Sequence, residues 1–224
     1  MAVELDLLKT ACYFSELDRT SLEAVKPYVR EKRYPAGEVV VREGEEADSL
    51  HFVISGLLKL VATSAEGREF IVRTAYGGDT VNDDAVFRQG ASLLGVVAMS
   101  PVLLYGIGRE DLFRVMGIHP QVAVNISRTF AAHQRYLVRL AAELVFKGVT
   151  ARLARLLLDR EKLAARSGTQ DLRITQQEMA AMIGTVREIV SRSLRELEDA
   201  GAIRLERNQL VITDRAYLEG LTEG

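Results

Sequence analysis

Near its C-terminus the chain carries a pair of hydroxyl-x-x-Glu patterns in close succession, and no other stretch narrows its architecture as sharply. They are Thr175-Gln176-Gln177-Glu178 and Thr185-Val186-Arg187-Glu188, with Gly184 between them. A Ser or Thr followed three residues later by Glu lets two side chains satisfy backbone N–H groups at the start of a helix. The patterns predict a first helix from Thr175, a turn at Gly184, and a second helix from Thr185. Gly184 permits the positive φ of a tight interhelical turn. Ala180 is small where two helices would cross closely, and Val190 is apolar where the second helix would face the first. This is the spacing of a helix-turn-helix.

The second helix carries the chemistry. At about 100° per residue, Val186, Ile189, Val190, Leu194 and Leu197 fall in one sector, and Arg187, Glu188, Ser191, Arg192 and Arg195 in the opposite one. Arg can pair bidentately with guanine, and Glu can accept from the cytosine amino group. The bland alternative is a solvated amphipathic helix with an i,i+4 Glu188–Arg192 pair. The residues after the helix favour DNA. Ala200-Gly201-Ala202 ends it, and Ile203-Arg204-Leu205 and Leu210-Val211-Ile212 flank Glu206-Arg207-Asn208-Gln209. That reads as a strand-turn-strand wing with Arg207 near its tip.

Upstream the texture differs. Residues 16–33 read as a short helical region, with Leu17, Leu22, Val25 and Val29 spaced for one face. From Tyr34 to Ile107, short apolar runs such as Val39-Val40-Val41, Leu50 to Ile54, Leu57 to Val61 and Phe70-Ile71-Val72 are broken by glycines. Such runs indicate a sandwich or barrel, with Glu66-Gly67 as a hairpin tip. Residues 120–146, opened by Pro120, read as a long helix. Along it Ile126, Phe130, His133, Leu137, Leu140 and Leu144 form a heptad seam. The stripe can pack on the β-rich domain or pair with a second copy, and the dimer is the expectation adopted. Gly148 reads as a hinge, and a further helix runs from Thr150 to about Ala165, with Leu153, Leu156, Leu157 and Leu163 apolar, before a turn at Arg166-Ser167-Gly168-Thr169-Gln170. The expected organisation is therefore α+β. A β-rich sensor spans 1–119, a dimerisation helix and hinge 120–147, and a winged helix-turn-helix 148–224.

The 224 residues suit two domains with a connector, and a hydrophobic content of 48% suits real cores. Net charge is −2 and announces no nucleic acid globally, but residues 147–224 carry 13 Lys+Arg against 12 Asp+Glu while 1–146 carry 16 against 19. No apolar run approaches the roughly 18 residues needed to span a bilayer, and the N-terminus does not read as a signal peptide. A cytoplasmic protein without membrane contact is expected. The single cysteine, Cys12, rules out an internal disulfide, a Cys-based zinc site and a four-Cys iron–sulfur cluster within one chain. Cys12 reads as a small buried residue, with a redox-sensing thiol as its alternative.

Further runs complete the pattern. In the first domain they are Pro35-Ala36-Gly37-Glu38, Arg42-Glu43-Gly44-Glu45, Val53-Ile54-Ser55-Gly56-Leu57-Leu58-Lys59 and Gly78-Asp79. In the second they are Phe146, Val149-Thr150-Ala151-Arg152-Leu153, Ile174-Thr175-Gln176-Gln177-Glu178 and Arg187-Glu188-Ile189-Val190-Ser191-Arg192. Over about residues 13–215 the chain resembles the cyclic-AMP receptor and fumarate–nitrate regulator (Crp/Fnr) family of bacterial transcription factors. The resemblance implies a cyclic-nucleotide-binding-type jelly roll, a homodimer paired through the long helix, and RNA polymerase as a partner. It also implies that Arg187, Glu188 and Arg192 read bases of an inverted repeat with TGTGA-like half-sites. Ser191 also fits members that read TTGAT-like half-sites, but those carry an apolar residue where Arg187 stands. Thr150 and Gln177 match phosphate-contacting positions.

The effector region departs from the cyclic-AMP-binding pattern. Such members have Gly-Glu after the Gly-Asp turn and Arg-Ser about ten residues later. Here Gly78-Asp79-Thr80-Val81 is followed by Asn82-Asp83, and Gly90-Ala91-Ser92-Leu93 has no Arg. The adenine-contacting Thr-Ser of the long helix becomes Leu137-Val138. Asp83 would face an anionic phosphate with no cation beside it, a repulsive arrangement at low dielectric, unless Arg88 substitutes. Gly78, Asp83, Ser92, Leu137 and Val138 are the pocket candidates. With Leu93, Leu94, Val96 and Val97 they suit an apolar effector, a haem or a filled pocket. Cyclic AMP and an iron–sulfur cluster are not expected, and no metal site is. His51 and His119 read as structural, and His133 as a register-setting seam residue with a ligand role as its alternative. The expected protein is not an enzyme: a metal-dependent enzyme on a jelly roll needs clustered His and carboxylate ligands. The rival reading is an effector-binding β-domain protein whose winged helix contacts protein rather than DNA.

Overall fold

The computed structural model describes residues 3–167, 174–206 and 209–223, with 163–167 and 209 described in their backbone alone. The expected wing tip at Arg207 and Asn208 lies outside the described residues. So do Gly168, Thr169 and Gln170 of the expected turn, and the Leu163 side chain. Two helices open the chain, α1 (Leu5–Leu8) and α2 (Arg19–Val25), followed by a 3-10 turn at Lys26–Tyr28. Eight strands follow: β1 (Val29–Tyr34), β2 (Val39–Val41), β3 (Ser49–Ser55), β4 (Leu57–Thr63), β5 (Glu69–Tyr76), β6 (Thr80–Val81), β7 (Gly95–Ala98) and β8 (Val102–Gly108). Helix α3 (Asp83–Arg88) interrupts them between β6 and β7. They form two four-stranded antiparallel sheets ordered β1-β8-β3-β6 and β2-β7-β4-β5, the double-sheet jelly roll expected from the short runs.

Both faces of the first sheet are covered, which explains why Leu50-His51-Phe52-Val53 are all buried. Val53, Val81, Val102 and Leu104 face Val41, Leu58, Leu60, Val96 and Ala98 of the second sheet. Leu50, Phe52, Tyr105 and Ile107 face outward onto Leu8, Tyr13, Phe14, Leu22 and Val25 of the N-terminal segment. The hairpin tip is where expected, with Gly67 at φ +79° and its N–H donating to Ser64 O at 2.9 Å.

The helical reading of 16–33 is corrected in its second half. Leu17, Leu22, Val25 and Val29 are all buried, as their spacing implied, but Val29 opens β1 and pairs with Ile107. Residues 30–33 then follow the edge of β8 instead of continuing α2. Helix α4 (Arg109–Ile118) leads into α5 (Pro120–Phe146), opened by Pro120 as expected. A break at Lys147-Gly148 separates α5 from α6 (Val149–Ser167). The C-terminal elements are α7 (Gln176–Ile183), α8 (Arg187–Asp199), the hairpin β9 (Ile203–Glu206) and β10 (Gln209–Ile212), and α9 (Arg215–Glu223). They share a core of Leu153, Leu157, Leu158, Ala180, Val190, Leu194, Leu197, Ile203 and Leu218. The chain divides into two compact units, Met1–Arg135 and Tyr136–Gly224, so the dividing point falls inside α5. Among the described residues no helix is long and apolar enough to cross a membrane.

Candidate nucleic-acid interface

The first capping box forms and the second does not. Thr175 Oγ1 accepts from the Glu178 N–H at 3.1 Å, and a Glu178 carboxylate oxygen accepts from the Thr175 N–H at 2.7 Å. Gly184 then takes the left-handed conformation, φ +65°. The chain needs Gly184, Thr185 and Val186 to make the turn, so α8 starts at Arg187 with extended Val186 as its uncapped N-cap. Thr185 instead donates its N–H to Ala180 O at 3.0 Å. The cap expected at Thr185 is thus displaced by one residue, to Val186, which puts Arg187, Glu188 and Ile189 in the first turn.

Helix α8 is held from behind by Val190, Leu194 and Leu197, all buried, as the periodicity implied. Val186 and Ile189 were expected in the same sector but are 44% and 36% exposed. Val186 lies outside the helix, and Ile189 lies at the rim of the buried stripe. A fourth buried residue, Ser193, is polar and was missed. Its hydroxyl pairs with Thr150 Oγ1 at 2.9 Å, and Thr150 also donates to Glu196 at 3.0 Å. A serine inside an apolar sector is the signal that could have found it, since a buried hydroxyl needs a partner. Thr150 therefore bolts the start of α6 to α8, whatever else it touches. Gln177 is exposed in the first turn of α7.

Arg187, Glu188, Arg192 and Arg195 are exposed and Ser191 half-buried on the side of α8 turned away from the core. No hydrogen bond or ion pair engages these five side chains among the described residues, and the solvated Glu188–Arg192 pair does not form. A capped helix thus holds a second helix whose first turns display two guanidiniums, a carboxylate and a hydroxyl. All of them are left to bond something outside the chain.

The sensor candidates behave otherwise. Asp83, at the start of α3, is buried and accepts hydrogen bonds from the Tyr13 hydroxyl and from Thr80 Oγ1, the latter at 2.9 Å. Burial and the neighbouring Asp83 carboxylate push the Tyr13 phenol far above its ordinary range. Ser92 is buried and donates to Leu94 O at 2.8 Å, and Gly78 takes a positive φ at the turn before β6. Leu93 is 66% exposed. Arg88 is exposed too, while a cation outside the sequence candidates, Arg73 on β5, donates to Thr80 O at 2.6 Å. Burial raises the pKa of Asp79, against the Tyr76 backbone hydrogen bond and the nearby Arg73 and His133. Burial lowers the pKa of His133, as does Arg73, against Asp83 and Asp79. So Arg73 and His133 both bear on Asp79, and Asp83 bears on both Asp79 and His133. Leu137 and Val138 are 49% and 65% exposed on α5.

Along the seam, Ile126 is buried in the chain's own sensor core, so it belongs to the first of the two packings weighed for the stripe. Phe130 sets its ring edge-on to Phe87, centroids 5.3 Å apart, while Leu140 and Leu144 are half-buried. His51 is buried with Lys32 Nζ 3.4 Å from its Nε2 and no partner for Nδ1 among the described residues. Desolvation, helped by Lys32, lowers its pKa to about 4, so it is neutral at physiological pH. Cys12 is half-buried, accepts from Thr129 Oγ1 at 3.8 Å, and is raised to about 11 by burial. It stays a thiol at neutral pH, which disfavours the redox alternative.

Known proteins share both halves of this arrangement. Residues 31–119 match the cyclic nucleotide-binding domain family, and residues 151–221 match the Crp-like helix-turn-helix domain family. A CRP-like cAMP-activated global transcriptional regulator of Mycobacterium tuberculosis is 28% identical over 220 residues, 95% of this chain and 97% of that one. FixK2 from Bradyrhizobium japonicum is 24% identical, with a TM-score of 0.76 over 86% of this chain and 96% of that one. The c-di-GMP responsive global regulator CLP of Xanthomonas campestris is 24% identical, with a TM-score of 0.77 over 87% and 99%. These two likenesses bear on the fold.

Proposed function

The chain belongs to the Crp/Fnr family of DNA-binding transcription regulators, and from that premise we propose that it is a non-enzymatic homodimer reading an inverted repeat with TGTGA-like half-sites. The observation that carries the reading is the set of unengaged side chains on α8. Arg187 and Arg192 supply bidentate donors for guanine, and Glu188 an acceptor for the cytosine amino group. Gln177, at the start of α7, has the first-turn placement suited to a phosphate, where helix N–H groups favour negative charge. The Thr150 hydroxyl, bonded to Ser193 and Glu196 of α8, is the second phosphate-contact candidate. The seam from Phe130 through His133, Leu137, Leu140 and Leu144 pairs two copies. RNA polymerase is the protein partner, and the cytoplasm is the compartment.

In this reading the sensor does not take up cyclic AMP. The Asp83 carboxylate is already bonded to Tyr13 and Thr80, and Gly90-Ala91-Ser92-Leu93, where cyclic-AMP-binding members carry Arg-Ser, has no Arg. The relative from M. tuberculosis is cAMP-activated, so calorimetry with cyclic AMP is a sharp check, and micromolar affinity overturns this part. The function itself is tested by anisotropy with a duplex carrying inverted TGTGA half-sites, titrated over salt. Binding should fall linearly in log affinity against log salt, because neutralising phosphates releases counterions. If no duplex binds in this way, the winged helix is a protein-contacting module.

A further inference from the structure

Two aliphatic side chains stand beside the polar groups that the DNA reading uses. Val186 and Ile189 are 44% and 36% exposed at the start of α8, and they are linked by the Ile189 N–H donating to Val186 O at 3.1 Å. The remaining branched aliphatics of α8, Val190, Leu194 and Leu197, are buried. Ile189 sits between Glu188 and Val190 in sequence and one turn before Arg192, so it occupies the end of the helix where the unengaged Arg187, Glu188 and Arg192 are displayed.

An exposed isoleucine at such a place gains by meeting an apolar group. Within a major groove lined by phosphates, which suits the cationic neighbours Arg187 and Arg192, the apolar group on a base edge is the thymine 5-methyl. We propose that Ile189, with Val186 extending its surface, is a specificity-determining residue that packs against a thymine methyl in each half-site. The proposal rests on the DNA-binding reading and adds a third kind of contact to it. Arg and Glu select guanine and cytosine by hydrogen bonds, and Ile189 selects thymine by burial. The same residue disfavours cytosine at that place, since cytosine offers no methyl and its amino group would lie against the side chain without an acceptor.

The test uses the full-length protein and a duplex that it selects from a randomised pool. Each thymine of the half-site is replaced in turn by deoxyuridine, which deletes the methyl alone. At one symmetric position, wild-type affinity should fall about fourfold per half-site, the effect of about one buried CH2 group at roughly 0.8 kcal/mol. Ile189→Ala should bind the thymine duplex more weakly and become indifferent to that methyl, while Val190, being buried, is left intact so that folding is preserved. Circular dichroism and thermal melting confirm that the variant folds. A wild type indifferent to every thymine methyl, or an Ile189→Ala variant that keeps the full deoxyuridine penalty, overturns the inference and leaves the DNA-binding reading standing. If the selection recovers no duplex at all, both fall.

Discussion

In the unit Met1–Arg135, buried polar side chains bond largely to one another or to nearby backbone: Asp83 to Tyr13 and Thr80, Asn82 to Ser49 O, Asn125 to Tyr13 O, Arg73 to Thr80 O. In the unit Tyr136–Gly224, the outward-facing Arg187, Glu188, Ser191 and Arg192 of α8 bond to nothing among the described residues. The contrast tells which unit advertises its ligand. Groups left unbonded on a rigid support are open to a partner, and in the proposed reading that partner is base edges and phosphate. Groups already satisfied internally state only what holds the domain together. The contrast also sorts substitutions. Changes among the sensor's buried polar groups should alter stability, while changes on α8 should alter DNA affinity at unchanged stability.

The largest effect belongs to His51. Its folded-state pKa, about 4, lies below the ordinary value of 6.5. The neutral ring is the form the fold prefers, so this contribution to stability is complete above pH 6.5. It is lost as pH falls from 6.5 towards 4, because the unfolded chain takes up the proton first. At 1.36 kcal/mol per unit, the loss across that window is about 3 kcal/mol. Denaturant titrations from pH 7 to pH 4 should show a steeper decline for the wild type than for His51→Gln, and parallel curves would refute the assignment. His133, lowered in the same direction, acts with the same sign.

Tyr13→Phe comes next. The ring keeps its edge-on contact with Phe52, centroids 5.3 Å apart, but a buried carboxylate loses one donor. Hydrogen bonds to charged groups contribute about 1.5–3 kcal/mol, and that is the expected destabilisation by urea unfolding. DNA affinity per folded molecule should be unchanged. A Tyr13→Phe protein as stable as wild type would mean that the Tyr13–Asp83 bond contributes nothing to the fold.

Arg192→Ala sharpens the other side of the contrast. Loss of a bidentate guanine contact should weaken specific binding by about 1–3 kcal/mol and relax discrimination at one base pair. The melting temperature should stay fixed, since the side chain is exposed and unengaged. A variant that binds its operator as wild type does would move base reading off this part of α8.

The contrast explains what was legible in the sequence. The jelly-roll strands, the long helix and the helix-turn-helix were readable because each rests on a local pattern or a local cap: short apolar runs broken by glycines, Pro120 with the heptad spacing from Ile126, Thr175 with Glu178. What escaped depends on distant partners. Nothing near Tyr13 in sequence announces Asp83, and nothing near Arg73 announces Asp79 or His133. Val29 looked helical because α2 and the strand after it bury residues on the same side, and only pairing with Ile107 decides its conformation. Helix α3 follows Asn82 in the left-handed conformation, φ +68°, without the side-chain cap that Asn gives an ordinary helix start. The unbonded face of α8 was legible because polar residues with no local partner look the same in the sequence as in the fold.

The smallest effect is the most discriminating about that legibility. Thr175 and Thr185 have the same motif, Thr-x-x-Glu, and a sequence rule weights them alike. In the structure Thr175 caps α7 reciprocally with Glu178, while Thr185 lies in the turn before α8 and caps nothing. Replacing a capping Thr by Ala costs about 1 kcal/mol, because an N–H of the first turn loses its acceptor. Thr175→Ala should therefore lower stability by about that amount, while Thr185→Ala should change it by a few tenths at most, the ordinary range for a surface site. The Thr185 N–H bond to Ala180 O is a backbone bond and survives the change. Thermal melts of the two variants side by side decide the matter. Equal destabilisation would mean that α8 starts at Thr185 in solution. Arg187 and Glu188 would then stand one turn position later, and the base-reading assignment on α8 would have to shift with them.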